Sequence, residues 1–455
     1  VGADGGAAPG RVLIRHSLIY VVAKLLPGLL GLATTALLTR LIPPAGYGVY
    51  GLALVVMTFG SAAAFDWLGL AYLRLGRPDD PRAIATTVAL FGGVVGVVAL
   101  GGVVAWLAGG LGQAGGIGLV MMGCYAWFEL ASRFQMAAGR PGRYLAMNLG
   151  RAGLGLMGAV TAAWLTRDPV WTAAGTAAGM LAGAALGGVR PGGPVDWRLA
   201  RDMLGFGLPL AVSLALAGLA NSGTRALVGG LGSAEALGLY TAAYLLVQNS
   251  LAVVAAGIAA AGYPPAVRAM ERGDLAGAQR QLAANGALLL AVLAPMAVGM
   301  TLTAPGLAAV LVGPGYVGAV ADLTPWMAAA GFFAGMRAQF LDHAFQLGKR
   351  PGLQLGVTAG AAVVVVGLTV MLVPWLGVVG AAVAMLVAMA VSCAHAAAVG
   401  RRAWPMPVPA GWWRVGLACG VMACVVGVMP GGLAVQVAAG VGSYGGVMGV
   451  LWLVA

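Results

Sequence analysis

Apolar runs long enough to cross a bilayer follow one another along nearly the whole chain, each closed by a short cluster of arginine, proline, glycine or aspartate. Crossing roughly 30 Å of hydrocarbon takes about 20 helical residues. Fourteen stretches meet that length: 17–39, 47–71, 83–108, 116–138, 144–166, 170–189, 204–228, 237–262, 281–303, 318–346, 352–375, 378–399, 411–429 and 432–455. In lipid, every backbone amide must be satisfied inside its own segment, so such stretches are expected as helices. The predicted fold class is therefore all-α, a polytopic integral membrane protein with about 14 transmembrane helices.

Composition sharpens this picture. Of 455 residues, 61% are hydrophobic and 8% charged, against about 25% charged in a soluble domain. The 76 glycines suit close helix approach in lipid, although two lysines among many arginines, alanines and valines also fit a GC-rich coding sequence. Cys124, Cys393, Cys419 and Cys424 lie in apolar stretches without metal-ligand spacing, and no cofactor is expected.

The net charge of +12 suggests nucleic acid only until its placement is read. Basic residues between stretches fall in alternate connections: Arg11 and Arg15; Arg74, Arg77 and Arg82; Arg140 and Arg143; Arg190, Arg198 and Arg201; Arg268, Arg272 and Arg280; Lys349 and Arg350; Arg401, Arg402 and Arg414. The opposite connections hold only Arg167. The positive-inside rule makes the first set, and with it both termini, cytoplasmic. The basic excess is a topology signal and no nucleic-acid partner is expected.

The chain also repeats itself. "LPGLLGLATTALLTR" (26–40) then "GVYGLALVVM" (48–57) resembles "LPLAVSLALAGLANSGTR" (208–225) then "GLYTAAYLLV" (238–247), and Arg-Pro-Gly recurs at 140–142 and 350–352. These matches predict two six-helix lobes, 11–190 and 198–400, with two additional transmembrane helices in 411–455. Six is even, so the lobes enter the membrane in the same sense. Transporters built from such parallel repeats bind substrate between the halves. Arg40 and Arg225 then stand at matching outside ends of two helices.

The turn after the first stretch reads Arg40-Leu41-Ile42-Pro43-Pro44-Ala45-Gly46-Tyr47-Gly48-Val49-Tyr50. It resembles the signature of the polysaccharide-transport flippases, the Wzx-type O-antigen and exopolysaccharide translocases. Their superfamily also holds the MATE multidrug exporters and lipid II flippases. The resemblance spans residues 11 to about 400. It implies a bacterial inner-membrane, multi-pass carrier that moves a polyprenyl-diphosphate-linked oligosaccharide, an O-antigen or exopolysaccharide repeat unit, by alternating access. Its implied partners are the lipid-linked oligosaccharide, membrane lipids, a coupling proton or sodium ion, and glycan polymerase and export machinery.

Charges inside apolar helices are costly and usually face a cavity or a partner. Arg133, Arg151, Arg225 and Arg337 suit a diphosphate, because a guanidinium offers a planar fork of donors; Arg40 would hold the departing head at the outward mouth. Against this, Glu129 and Arg133 at i, i+4 also suit a plain ion pair, and Asp66 suits one with Lys24 or Arg74. Gln339, Asp342, His343 and Gln346 follow i, i+3, i+4, i+7 on one predicted helical face. Tyr240, Tyr244 and Gln248 follow i, i+4, i+8. Both stripes suit a glycan path, although an interfacial aromatic belt explains Tyr240 as well. His395 reads as a packed polar residue. Asp66, Glu129, Asp342 and His343 are the candidate ion-coupling groups.

Two rivals remain. A MATE-like exporter of organic cations would have a cavity dominated by acids, the reverse of the balance here. A membrane glycan polymerase or ligase would carry a large charged outside loop, and no catalytic residues are expected in this chain.

Overall fold

The computed structural model describes residues 9–110 and 112–453, with side chains from Leu25 onward except at 220, 221 and 452. Arg11, Arg15 and Lys24, used above, lie outside the described side chains. The first helices are α1 (Pro9–Leu41), α2 (Pro44–Ala64), α3 (Asp66–Leu75), α4 (Pro81–Leu107), α5 (Gln113–Ala137), α6 (Pro141–Thr166) and α7 (Pro169–Ala185). After a linker come α8 (Trp197–Leu231), α9 (Ala234–Val247), α10 (Val253–Glu271), α11 (Leu275–Leu302) and α12 (Ala304–Leu311). Then follow α13 (Val317–Met336), α14 (His343–Leu347), α15 (Pro351–Ala403), α16 (Trp412–Val428) and α17 (Leu433–Leu453). Among the described residues there is no strand.

Every predicted apolar stretch lies on helix, and local chemistry sets where the helices start. Proline stands in the first turn of α2, α4, α6, α7 and α15, where its missing N–H costs nothing. Asp80, Asp168, Asp196, Ser233 and Asp274 cap α4, α7, α8, α9 and α11 by accepting backbone N–H bonds. Among the described residues, 9 helices or helix runs are long and apolar enough to cross a membrane. One of these, α15, contains the predicted break between stretches: Gly377, at φ 57° and ψ −138°, divides it. The count of fourteen crossings stays an expectation of the sequence.

Two features redirect side chains in ways that apolar periodicity does not show. Phe65, at φ −123°, separates α2 from α3, so Asp66 opens a helix instead of sitting inside one. Single π turns, Gln248–Ala252 and Arg337–Leu341, interrupt α9–α10 and α13–α14. Each adds a residue to the turn and rotates everything beyond it.

The bundle closes most tightly where the Gly-x-Tyr repeats meet. A Cβ on Gly48 would strike the carbonyl oxygen of Ala234, and one on Gly238 would strike that of Pro44. Gly48 and Gly238 are each other's counterparts in the repeat, and so are Pro44 and Ala234. Gly51 meets Thr241, its own counterpart. Reciprocal contacts with one self-pair are what two copies around a two-fold axis make. Only bare Cα atoms allow α2 and α9 to come so near, which gives the small-residue van der Waals packing that holds helices together in lipid.

The same end carries a second fastening. Arg40 Nη2 donates to the Val310 carbonyl at 2.5 Å, Gly313 N–H to Thr39 Oγ1 at 3.1 Å, and the Tyr316 hydroxyl to the Ile42 carbonyl at 2.7 Å. Arg167 Nη1 donates to the Leu41 carbonyl at 2.9 Å. The α1–α2 turn is thus tied to the α6–α7 turn and to the 310–316 segment. By contrast α4 stands off: none of its most apolar 18-residue window is buried. Apolar slots of about 640 and 630 Å³ flank it.

Substituting Gly48→Ala or Gly238→Ala is expected to cost about 1–3 kcal/mol by overpacking, read as a lower melting temperature in detergent. Gly367→Ala, whose Cβ would meet nothing within 4 Å, is the control and should not lower it. An unchanged melting temperature in the first two would refute the close crossing.

Candidate functional site

A cavity of about 200 Å³ lies below the α2–α9 crossing, with walls from α1, α2, α6, α7, α9 and the first π turn. Its polar lining consists of Thr34, Thr35, Tyr47, Tyr50, Arg151, Thr176 and Asn249. The Tyr50 hydroxyl and Thr176 Oγ1 lie 3.2 Å apart and share a hydrogen bond. Asn249 comes from the π turn and reaches the opposite wall, where it lies against Gly31. A side chain at position 31 would take that space.

Arg151 is the one charged residue in this lining. Its guanidinium sits 5.0 Å from the Phe128 ring centroid, and its Nε is buried without a hydrogen-bond partner. Among the described residues it makes no ion pair. Arg225 stands near the cavity, is 5% exposed, and lies 4.6 Å from the Tyr244 ring centroid. It donates to Ser222 Oγ at 3.3 Å and, among the described residues, makes no ion pair. A guanidinium over an aromatic face is stabilised by the ring quadrupole, but its charge remains uncompensated. The lining thus holds one arginine and no acid, with a second arginine close by.

The other sequence candidates fall elsewhere. Arg40 is exposed and committed to the Val310 and Ala36 carbonyls. It also does not match Arg225: Arg40 is the penultimate residue of α1, whereas Arg225 lies six residues before Leu231 ends α8. Counted from the shared turn, the counterpart of Arg225 is Thr35. Arg133 pairs with Asp66, not with Glu129. Its Nη1 donates to the Asp66 carbonyl at 3.0 Å, and its Nη2 lies 3.9 Å from Asp66 Oδ1. Arg74, one partner expected for Asp66, instead stacks on Phe206 at 5.0 Å; Lys24, the other, lies outside the described side chains. Glu129 faces the Tyr125 hydroxyl.

The second cluster lies at the α13–α14 junction against α15. Arg337 donates to Ser392 Oγ at 2.8 Å and lies 3.9 Å from Asp342 Oδ2. Asp342 Oδ1 has no partner. His343 is buried and stacked on Tyr263 at 4.0 Å, with Nδ1 unpartnered. The predicted stripe does not survive as one face: Gln339 lies within the π turn, His343 beyond it, and Gln346 is exposed while Asp342 and His343 are buried. Tyr240 is fully buried, its hydroxyl 3.5 Å from Met385 Sδ, which rules out the interfacial belt for it. Tyr244 and Gln248 flank the lining positions Leu245 and Asn249 without lining the cavity themselves. His395 is exposed, not packed.

Sequence reading missed Thr34, Thr35, Tyr47, Tyr50, Thr176 and Asn249. The signal was present in the Gly-Tyr-Gly-x-Tyr motif, where two tyrosines three apart follow paired threonines. The motif reads as a turn, while its side chains build a wall.

Residues 175–321 match the family model described as "Polysaccharide biosynthesis protein". Among curated proteins nothing matches the chain. Among solved structures, a lipid II flippase MurJ in an inward closed conformation superposes with a TM-score of 0.77 at 11% identity, covering 96% of this chain and 99% of that one. This chain has the lipid II flippase fold. An inward-facing multidrug resistance MATE family transporter of the MOP superfamily matches with a TM-score of 0.55 at 14% identity, over 85% of this chain and 95% of that one. A MOP superfamily transporter from Pyrococcus furiosus, described as having a binding pocket of reverse polarity, matches with a TM-score of 0.53 at 14% identity, over 88% and 98%. The all-α fold class and the MATE-like resemblance drawn from the Arg40 turn agree with these findings. The protein is a multi-pass membrane protein.

The pairing of Arg133 is tested by a double-mutant cycle on melting temperature. Asp66→Asn and Arg133→Gln should be non-additive because they share one interaction, whereas Glu129→Gln and Arg133→Gln should add. Coupling in the second pair and none in the first would restore the helical i, i+4 pair.

Proposed function

We propose that this protein carries a lipid-linked, diphosphate-bearing oligosaccharide across the bacterial inner membrane, its head group passing through the cavity beside Arg151. The cargo class is the repeat unit of a surface polysaccharide such as O-antigen or exopolysaccharide. The observation that carries the reading is the charge of the cavity: a half-buried arginine in the lining, Arg151, with Nε buried and unpartnered, a second, buried arginine near it, and no lining acid. Desolvated cations without partners are costly, and a diphosphate supplies the acceptors they lack. An organic cation, the cargo of the rival reading, would meet only repulsion. The fold of a lipid II flippase and the polysaccharide-biosynthesis match support the same reading.

The machinery is two six-helix lobes, 11–190 and 198–400, with 411–455 added and both termini cytoplasmic. Alternating access then consists of parting α2 from α9 at the crossing while the opposite end closes. Neither step involves covalent chemistry, so the protein acts as a carrier and not an enzyme.

A preparation in vesicles tests the cargo. With undecaprenyl-diphosphate-linked oligosaccharide loaded in one leaflet, appearance in the other is read by lectin access. Arg151→Gln is expected to lower the rate at least about tenfold, the loss of one charge-assisted hydrogen bond pair, and Arg151→Lys less. Ethidium extrusion that is unaffected by Arg151→Gln, with no glycolipid movement, would favour the organic-cation exporter.

Ion coupling belongs to Asp342 in this reading. Its carboxylate meets Arg337, which is bonded to Ser392 of α15, so protonation would loosen a link between two helices. Asp342→Asn should leave expression normal and abolish the dependence of transport on pH or sodium. Retained dependence would move coupling elsewhere, with Asp66, Glu129 and His343 next to be tried.

A further inference from the structure

The slot of about 630 Å³ between α4, α3 and α8 is separate from the cavity above and shares no lining residue with it. It runs along α4 from Thr86 to Val98, about 18 Å at 1.5 Å per residue. That is a little over half of the ~30 Å of hydrocarbon, the depth reached by a chain from one leaflet. Its floor is apolar, and Gly93 on α4 leaves it open: a Cβ there would meet nothing within 4 Å. An apolar slot offers water no polar partners, so in a bilayer hydrocarbon is the material suited to enter it.

The mouth of the slot carries the recognition. Thr86, Val195 and Trp197 ring it, and the Asp196 N–H donates to Thr86 Oγ1 at 2.9 Å, pinning the linker to α4. Arg82 lies one helical turn before Thr86 on the slot-facing stripe of α4, its stem against Gly193. Arg201 lies one turn after Trp197 on the stripe of α8 that continues through Leu204 and Leu208. Residues i and i+4 share a helix face. Both arginines are exposed, and among the described residues neither makes an ion pair. Asp80 and Asp196 accept backbone N–H bonds as the caps of the two helices, and exposed Asp202 follows Arg201 in sequence; among the described residues none of the three pairs with either arginine.

We propose that this slot is a binding site for an anionic phospholipid of the bilayer, one chain lying between α4 and α8 and its phosphate between Arg82 and Arg201. Clusters of free cations at a helix–helix mouth are the chemistry that selects acidic lipid head groups. The lipid would take the place of the side chains that α4 lacks and join that helix to the bundle. The site is independent of the cargo reading, since it uses none of the residues of the polar cavity.

Full-length protein purified in detergent tests it. Phosphatidylglycerol is expected to raise the melting temperature by several degrees, phosphatidylcholine of the same chains far less, and solvent extraction should recover anionic phospholipid with the protein. Arg82→Gln with Arg201→Gln should remove the difference between the two lipids without lowering the basal melting temperature. Gly93→Leu fills the slot and should remove the response to both, while Gly356→Leu on α15, equally open, should keep it. Equal responses to the two lipids in the wild type, a preference that survives the arginine pair, or recovery of polyprenyl diphosphate from the slot instead of phospholipid would each overturn the proposal. If Gly93→Leu does not fold, the arginine pair alone decides, and failure of glycolipid transport leaves this result untouched.

Discussion

Two backbones touching at Gly48 and Gly238 set the geometry on which the rest of this molecule depends. In hydrocarbon, helices gain little from burying apolar surface, since the lipid is as apolar as the partner. Contact has to come from close approach, and close approach has to come from missing side chains. The reciprocal pairing of each glycine with the carbonyl four residues before the other lets α2 and α9 cross at backbone distance. The cavity lies beside that crossing, walled by α1, α2, α6, α7 and α9. Its tyrosines, Tyr47 and Tyr50, are neighbours of the crossing glycine, so one motif both closes the end and furnishes the wall beneath it.

The clasp around the α1–α2 turn works in the same region with different chemistry. Backbone carbonyls at the ends of α1 and α12 have no intrahelical partner, and in a low-dielectric setting each needs a donor. Arg40, Arg167 and Tyr316 provide these, and the Tyr47–Tyr316 edge contact, with ring centroids 5.8 Å apart, packs beside them. An arginine at that position therefore need not touch any cargo to explain its presence. This resolves the puzzle of two arginines on the side that the positive-inside rule leaves nearly free of charge.

Much of the fold was legible because the bilayer simplifies the problem: apolar length gives the helices, and proline, glycine and aspartate give their ends. The break at Gly377 fell between two predicted stretches for that reason. The site was less legible, because a strict 3.6-residue period was assumed through α9–α10 and α13–α14. One π turn in each rotates Asn249 into the cavity and separates Gln339 from His343. Pairing across helices was also hidden. Arg133 has an acid at i−4, yet the kink at Phe65 brings Asp66 from another helix into reach. Sequence spacing ranks neighbours on one helix and is silent about the next. The offset between Arg40 and Arg225 shows the same limit, since α8 keeps its arginine more than a turn deeper than α1 does.

The arginines within or at the ends of the apolar helices differ in how fully each is partnered. Arg40 and Arg167 spend their donors on carbonyls at helix ends. Arg133 and Arg337 each have a carboxylate within 4 Å, through Asp66 and Asp342. Arg151 and Arg225 have only an aromatic face and, for Arg225, one hydroxyl. A structural arginine in lipid gains by acquiring a partner, and four of the six have done so. The two left incomplete are the ones placed on or near the polar cavity walled by α1, α2, α6, α7 and α9. Uncompensated charge is a cost to folding, and a fold retains such a cost where a ligand relieves it. The pattern of which arginines are satisfied, more than their number, is what the proposed phosphate-bearing cargo rests on.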